Sequence, residues 1–209
     1  MSIAERHITS LVRQLATQDV VELVHPFAEL PTFSAQVYIA ECFGFQYSGV
    51  RLVGKQRVLH VLLTRDPSPW AQQRAAANVA AFPQAGSGGP VPGMHQGSLV
   101  PVPEVLPEVD LITKLIRYDA LVVAGNRKLL LGMAWGCGVF FLLMALLTGA
   151  YVVLVPLAVL MPAMLLVSLR INTARVAKLA RQLAAAGCTP VRDPQGRERY
   201  VRPVPYTTV

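Results

Sequence analysis

From Leu129 to Leu169 the sequence runs for 41 residues without an Asp, Glu, Lys, Arg or His. One straight helix of that length would extend about 60 Å, twice the roughly 30 Å hydrocarbon core of a bilayer. Dividing the block at Thr148-Gly149-Ala150-Tyr151 gives two spans, residues 129–147 and 152–169, each near the shortest length that crosses. The expected fold class is therefore a membrane protein built on a two-helix transmembrane hairpin. The hairpin carries a small cytoplasmic α+β N-terminal domain and a basic C-terminal helix plus β-hairpin. A wedge that enters and leaves one leaflet satisfies the same pattern.

Charge is distributed to match. The chain carries a net +7, but residues 170–209 hold eight basic against two acidic side chains, while residues 1–80 hold seven against six. Both flanks of the apolar block are basic: Lys114, Arg117, Arg127 and Lys128 before it, Arg170, Arg175, Lys178 and Arg181 after it. The positive-inside rule puts both flanks in the cytoplasm. The expected location is thus the plasma membrane, multi-pass, with both termini cytoplasmic. The opening twenty residues include Glu5, Arg6, Arg13 and Asp19 and no apolar run, so no secretory signal is visible there. The Ala-, Val- and Arg-rich composition suits a bacterial source.

The N-terminal unit, residues 1–82, reads as α+β. Ser2 and Glu5 have capping-box spacing, followed by an apolar stripe at Ile8, Leu11, Val12 and Leu15. Residues 19–31 fit either helix or strand before Pro26 and Pro31. Residues 36–63 read as strands, because Val37 and Ile39 alternate with Tyr38 and Ala40, and Phe43, Phe45 and Tyr47 recur at period two. Gly54-Lys55 is the expected two-residue turn between Val50–Val53 and Arg57–Leu63. Asp66-Pro67 and Ser68-Pro69 announce a helix that continues through Trp70 and Ala75 to Phe82.

Residues 83–107 contain six prolines and five glycines, a composition that predicts a linker burying little apolar surface. Residues 108–128 predict a juxtamembrane amphipathic helix with Ile112, Leu115 and Ile116 on one side. The tail, residues 170–209, predicts a helix over 171–186 ended by Gly187, then a hairpin of Thr189–Arg192 and Arg197–Val201 about Asp193-Pro194-Gln195-Gly196.

Four constellations bear on function. Gly132 and Gly136 form a GxxxG pair, with Gly138 beside it, and small residues let membrane helices approach closely. The favoured expectation is that this face packs on the second span of the same chain; self-association into a homo-oligomer is the sharper alternative. Pro156 and Pro162 are expected to kink the second span rather than to open a substrate site, since no ionisable group lies in either span to serve an ion path. Arg170, Arg175, Lys178 and Arg181 are expected to contact anionic lipid headgroups, with Val176, Leu179 and Leu183 turned to acyl chains or to the N-terminal domain. The same charges make nucleic acid a disfavoured partner, because topology explains them with fewer assumptions. Phe43, Phe45 and Tyr47 are expected as core rather than as a nucleobase platform.

Cys42 and His60 could be imagined as nucleophile and base, but no orienting residue, oxyanion loop or glycine-rich elbow accompanies them. His7, His25, His60 and His95 lack metal-ligand spacing, and Cys42, Cys137 and Cys188 include no CxxC pair. No cofactor is implied. The expected function is non-enzymatic, a membrane anchor or scaffold presenting a cytoplasmic domain to an unidentified membrane or cytoplasmic protein. An accessory subunit of a transport or secretion complex is the second reading, and a membrane-surface enzyme using Cys42 or His60 the third.

Overall fold

The computed structural model describes residues 2–24, 30–54, 58–125, 127–193 and 196–202, the side chains of 127–130 excepted. It shows a small α+β region and two long apolar helices, and the chain divides into two compact units at Ala120/Leu121.

The first unit opens with α1, Ile3–Thr17. Its capping box forms as the spacing requires: Glu5 N donates to Ser2 Oγ at 3.0 Å and Ser2 N to Glu5 Oε2 at 2.6 Å. The ambiguous residues that follow contain a strand, β1 (Val20–Val24).

The next element departs from expectation. Residues 36–42 belong not to a strand but to a helix, α2 (Leu30–Cys42). From Phe33 to Val37 and from Ile39 to Cys42 every residue is buried. A helix enclosed on nearly every side shows no polar face, so the Val37/Ile39 alternation carries no information about its period. Pro31 sits in its first turn, where a missing N–H costs nothing.

Two strands follow, β2 (Phe45–Val53) and β3 (Val58–Arg65), giving an antiparallel sheet of order β1-β3-β2. One face buries Val21, Leu23, Phe45, Val50, Val61 and Leu63. The β2–β3 connection is not the expected two-residue turn, because Val53 pairs with Val58 and Leu52 with Leu59. A turn of Gly54 and Lys55 alone would set Leu52 against Arg57, and the observed register instead pairs apolar with apolar. Gly54 has φ +77°, as a turn glycine should; Lys55 lies outside the described residues.

The helix announced by Ser68-Pro69 is α3 (Pro69–Ala81), although the Ser68 side chain makes no cap bond. Residues 83–107 do not form an unpacked tether. They run through a 3-10 turn, Ala85–Ser87, and bury Ala85, Val91 and Met94. Ser2 Oγ donates to Gly97 O and Arg13 Nε to Gly86 O, both at 3.1 Å, so the segment is fastened to α1. Proline lowers the entropy that such a segment must lose on ordering, and glycine admits close approach. At Gly93, where φ is +72°, a Cβ would lie 2.6 Å from the Tyr38 ring.

α4 (Leu106–Ala124) buries Val109, Ile112, Leu115, Ile116 and Tyr118, so the stripe read as juxtamembrane is covered by protein. Its Thr113 hydroxyl lies 2.7 Å from that of Ser34 on α2, and Tyr47 on β2 donates to buried Asp119 at 2.7 Å.

The second unit is dominated by α5 (Arg127–Thr148) and α6 (Tyr151–Ala185), joined at Gly149 with φ +69°. α6 is one unbroken helix of 35 residues, where two were expected. No glycine, proline or cap interrupts it between Leu169 and Gly187, and one stripe of covered residues continues through Leu165, Leu169, Asn172, Val176, Leu179 and Leu183. Gly187, φ +83°, ends it, and β4 (Thr189–Arg192) and β5 (Glu198–Val201) form the expected hairpin. Asp193 closes it by accepting from Arg197 N and Nε, each at 2.8 Å. Pro194 and Gln195 of the expected turn lie outside the described residues.

Candidate functional site

The apolar pair α5–α6 is the first candidate. Each contains a stretch long and apolar enough to cross a membrane, and few of those side chains are covered by protein. Trp135 is 76%, Leu147 81% and Val152 89% exposed. Contact between the helices runs along small residues, with Ala134, Ala145 and Ala158 buried.

The three glycines separate here. A Cβ at Gly138 would lie 3.4 Å from Pro162 Cγ and 3.5 Å from Ala158 O. That carbonyl is the one Pro162 leaves without its intrahelical donor, since proline has no N–H. Gly138 therefore sits against a carbonyl that proline leaves unbonded, and a Cβ there would already be in van der Waals contact with α6. Gly132 and Gly136 meet nothing within 4 Å. The expectation that the GxxxG pair packs on the second span is corrected: the intrachain seam uses Ala134 and Gly138, and the GxxxG face points away from it. Helical phase decides this, because residues 132 and 136 lie roughly 120° to 160° around the helix from 134 and 138.

The second candidate is the basic run on α6. Arg170, Arg175, Lys178 and Arg181 are all exposed and fall within an arc of about 140° at 100° per residue. On the far side, Leu179 is 9% exposed and Leu183 fully buried. These leucines are sealed in protein, so they do not face acyl chains.

The third candidate is polar and was not foreseen. Glu22 on β1, His60 on β3 and Arg51 on β2 meet on the sheet face opposite the core. Arg51 Nε and Nη2 each lie 2.6 Å from a Glu22 oxygen, and His60 Nδ1 lies 2.6 Å from Glu22 Oε1. Hydrogen bonds from Arg51, with His60 assisting against the cost of burial, hold the Glu22 carboxyl below its ordinary range. The only sequence signal was that all three occupy outward positions on their strands, which is legible only once the register is known.

Cys42 and His60 are not brought together. Cys42 ends α2 beside Tyr38 and Arg74, and burial pushes its thiol up to about 11, with the Arg74 charge and a Tyr38 hydrogen bond pulling the other way. Among the described residues no hydrogen bond joins Cys42 to His60, whose ring is engaged by Glu22. A protonated, enclosed thiol is a poor nucleophile at neutral pH. Cys42, Cys137 and Cys188 are free thiols. Among the described residues no group of three or more His, Cys, Asp or Glu could hold a metal ion. No protein-family model, curated protein or solved structure matches the chain.

Proposed function

We propose that this chain is an integral membrane anchor or scaffold that crosses the plasma membrane twice and presents its α+β unit to protein partners in the cytoplasm. The observation that carries the reading is the bare apolar surface of α5 and α6. Monomeric soluble proteins rarely expose contiguous apolar patches of more than a few hundred Å², and here the apolar stretches of two helices are largely uncovered outside their shared seam. An 18-residue apolar helix rises about 27 Å, which matches the hydrocarbon core and not one leaflet of it. That length supports two crossings over the wedge. The basic residues on both flanks then favour cytoplasmic termini.

The sheet face that carries Glu22, His60 and Arg51 supports the scaffold role. Val20, Val24 and Val53 are exposed around these polar groups, an apolar rim about a fixed polar centre. Non-obligate protein interfaces likewise mix apolar and polar surface. A second reading, an accessory subunit of a membrane transport or secretion complex, is favoured by the outward Gly132/Gly136 face, which leaves a close-approach surface for another helix. Catalysis forms no part of the proposal.

The test is labelling in intact cells. In a background lacking the three native cysteines, Thr148→Cys should react with an impermeant thiol reagent, and Ser87→Cys should not. Protection of both sites, with reactivity restored on solubilisation, would favour the wedge and refute two crossings.

A further inference from the structure

We propose that α6 leaves the bilayer as a standing post and that its basic arc binds anionic phospholipid headgroups in a graded manner, tightest at Arg170 and weakest at Arg181. The inference deepens the membrane-anchor reading and rests on it.

Three observations point this way. First, α6 runs without interruption from Tyr151 to Ala185, so the segment past Leu169 continues the line of the span. A helix lying flat on the leaflet would need a break near Arg170, and none is present. Second, a surface-bound amphipathic helix inserts its apolar face among acyl chains, yet here Leu179 and Leu183 are already buried. The charged side, where Ile171 is exposed too, is free to meet lipid. Third, residues 170–187 contain four cations and no Asp or Glu, and no ion pair engages those cations among the described residues.

Geometry sets the gradient. At 1.5 Å per residue, Arg175, Lys178 and Arg181 stand about 7, 12 and 16 Å beyond Arg170 along the axis. Helical side chains lean toward the N-terminus, which for this part of α6 is the bilayer side, so each stem reaches back toward the headgroups. The attraction of an anionic surface decays over roughly 8 Å at physiological salt. Arg170 and Arg175 thus lie in the headgroup layer, Lys178 reaches its edge, and Arg181 stands outside. Lipid is favoured over nucleic acid because this helix stretch offers no aromatic side chain for base stacking, and an anionic leaflet repels a polyanion held close to it.

The experiment uses the full chain in nanodiscs of phosphatidylcholine, alone or with phosphatidylglycerol. Energy transfer from Trp135, in a Trp70→Phe background, to a dansyl-headgroup phosphatidylglycerol reads local enrichment. Arg170→Gln should lower enrichment about fivefold and Arg175→Gln about twofold, with Lys178→Gln and then Arg181→Gln progressively less. Equal losses at all four positions would mean a flat helix and overturn the post. The largest loss at Arg181, relieved by RNA or polyglutamate as competitor, would mean a different partner and overturn it too. Absence of any preference for the anionic lipid would do the same. Labelling of Thr148→Cys separates the causes: with labelling intact, a missing gradient removes the post alone, and without labelling the double crossing fails and the post with it.

Discussion

Glu22 Oε1 lies 2.6 Å from His60 Nδ1 while the same carboxylate receives both Nε and Nη2 of Arg51, so one acid on β1 ties all three strands together across the open face of the sheet. Because the folded carboxyl is held below its ordinary 4.5, its stabilisation is complete above that pH and is lost as pH falls through the folded value. Glu22→Gln should cost roughly 1 kcal/mol at pH 7, a modest figure because the cluster is partly solvated. The variant should also flatten the acid limb of stability below pH 4.5. Urea unfolding at pH 7 and at pH 3.5 checks both, and an unchanged acid limb would show that the ion cluster contributes nothing to it.

Cys42 makes a prediction of opposite sign. With its thiol pushed up to about 11 from an ordinary 9, the unfolded chain ionises first, so this residue's contribution to stability declines as pH rises from about 9 to about 11. In the folded chain at pH 8, site-resolved alkylation should be far slower at Cys42 than after unfolding in urea. Rapid modification in the native state would contradict its enclosure beside Tyr38.

Gly138 and the GxxxG pair should part company on substitution. Gly138→Leu drives a side chain against Pro162 and the Ala158 carbonyl and should destabilise the α5–α6 pair by about 1–3 kcal/mol. Replacing Gly132 and Gly136 together by Leu should leave that pair unaffected, since both sites open outward. Thermal unfolding in mild detergent reads the first effect. Crosslinking in native membranes reads the second: reduced oligomer would support association through this face, and unchanged oligomer would remove it.

Met94 tests whether residues 83–107 matter to folding. It is 7% exposed, so Met94→Ala should cost about 2–3 kcal/mol, within the range for buried methionines. A true tether would tolerate the change within about 0.5 kcal/mol, the usual limit for surface substitutions. Chemical unfolding of the full chain, followed by the α+β unit's fluorescence at Trp70, distinguishes the two.

Much of this protein was determined by the sequence alone, wherever the physics is local. The uncharged run from Leu129 to Leu169 marks two helices long and apolar enough to cross a membrane, and the break at Gly149 divides them. Ser2 and Glu5 cap α1 within four residues of chain, and Gly187 ends α6 through its own left-handed φ. The tertiary structure decided what depends on enclosure and register. Residues 36–42 became helix because neighbours cover nearly all of α2, erasing the polar face that would have disclosed its period. Prolines and glycines of residues 83–107 read as linker until Val91 and Met94 found a surface to bury against. Gly138 was distinguished from Gly132 and Gly136 only by the phase at which α5 meets α6, and Glu22, Arg51 and His60 became neighbours only through pairing across three strands. Spacing along a chain carries a residue's own helix or strand. Which of its faces is covered is a property of the partner, and that is settled by packing.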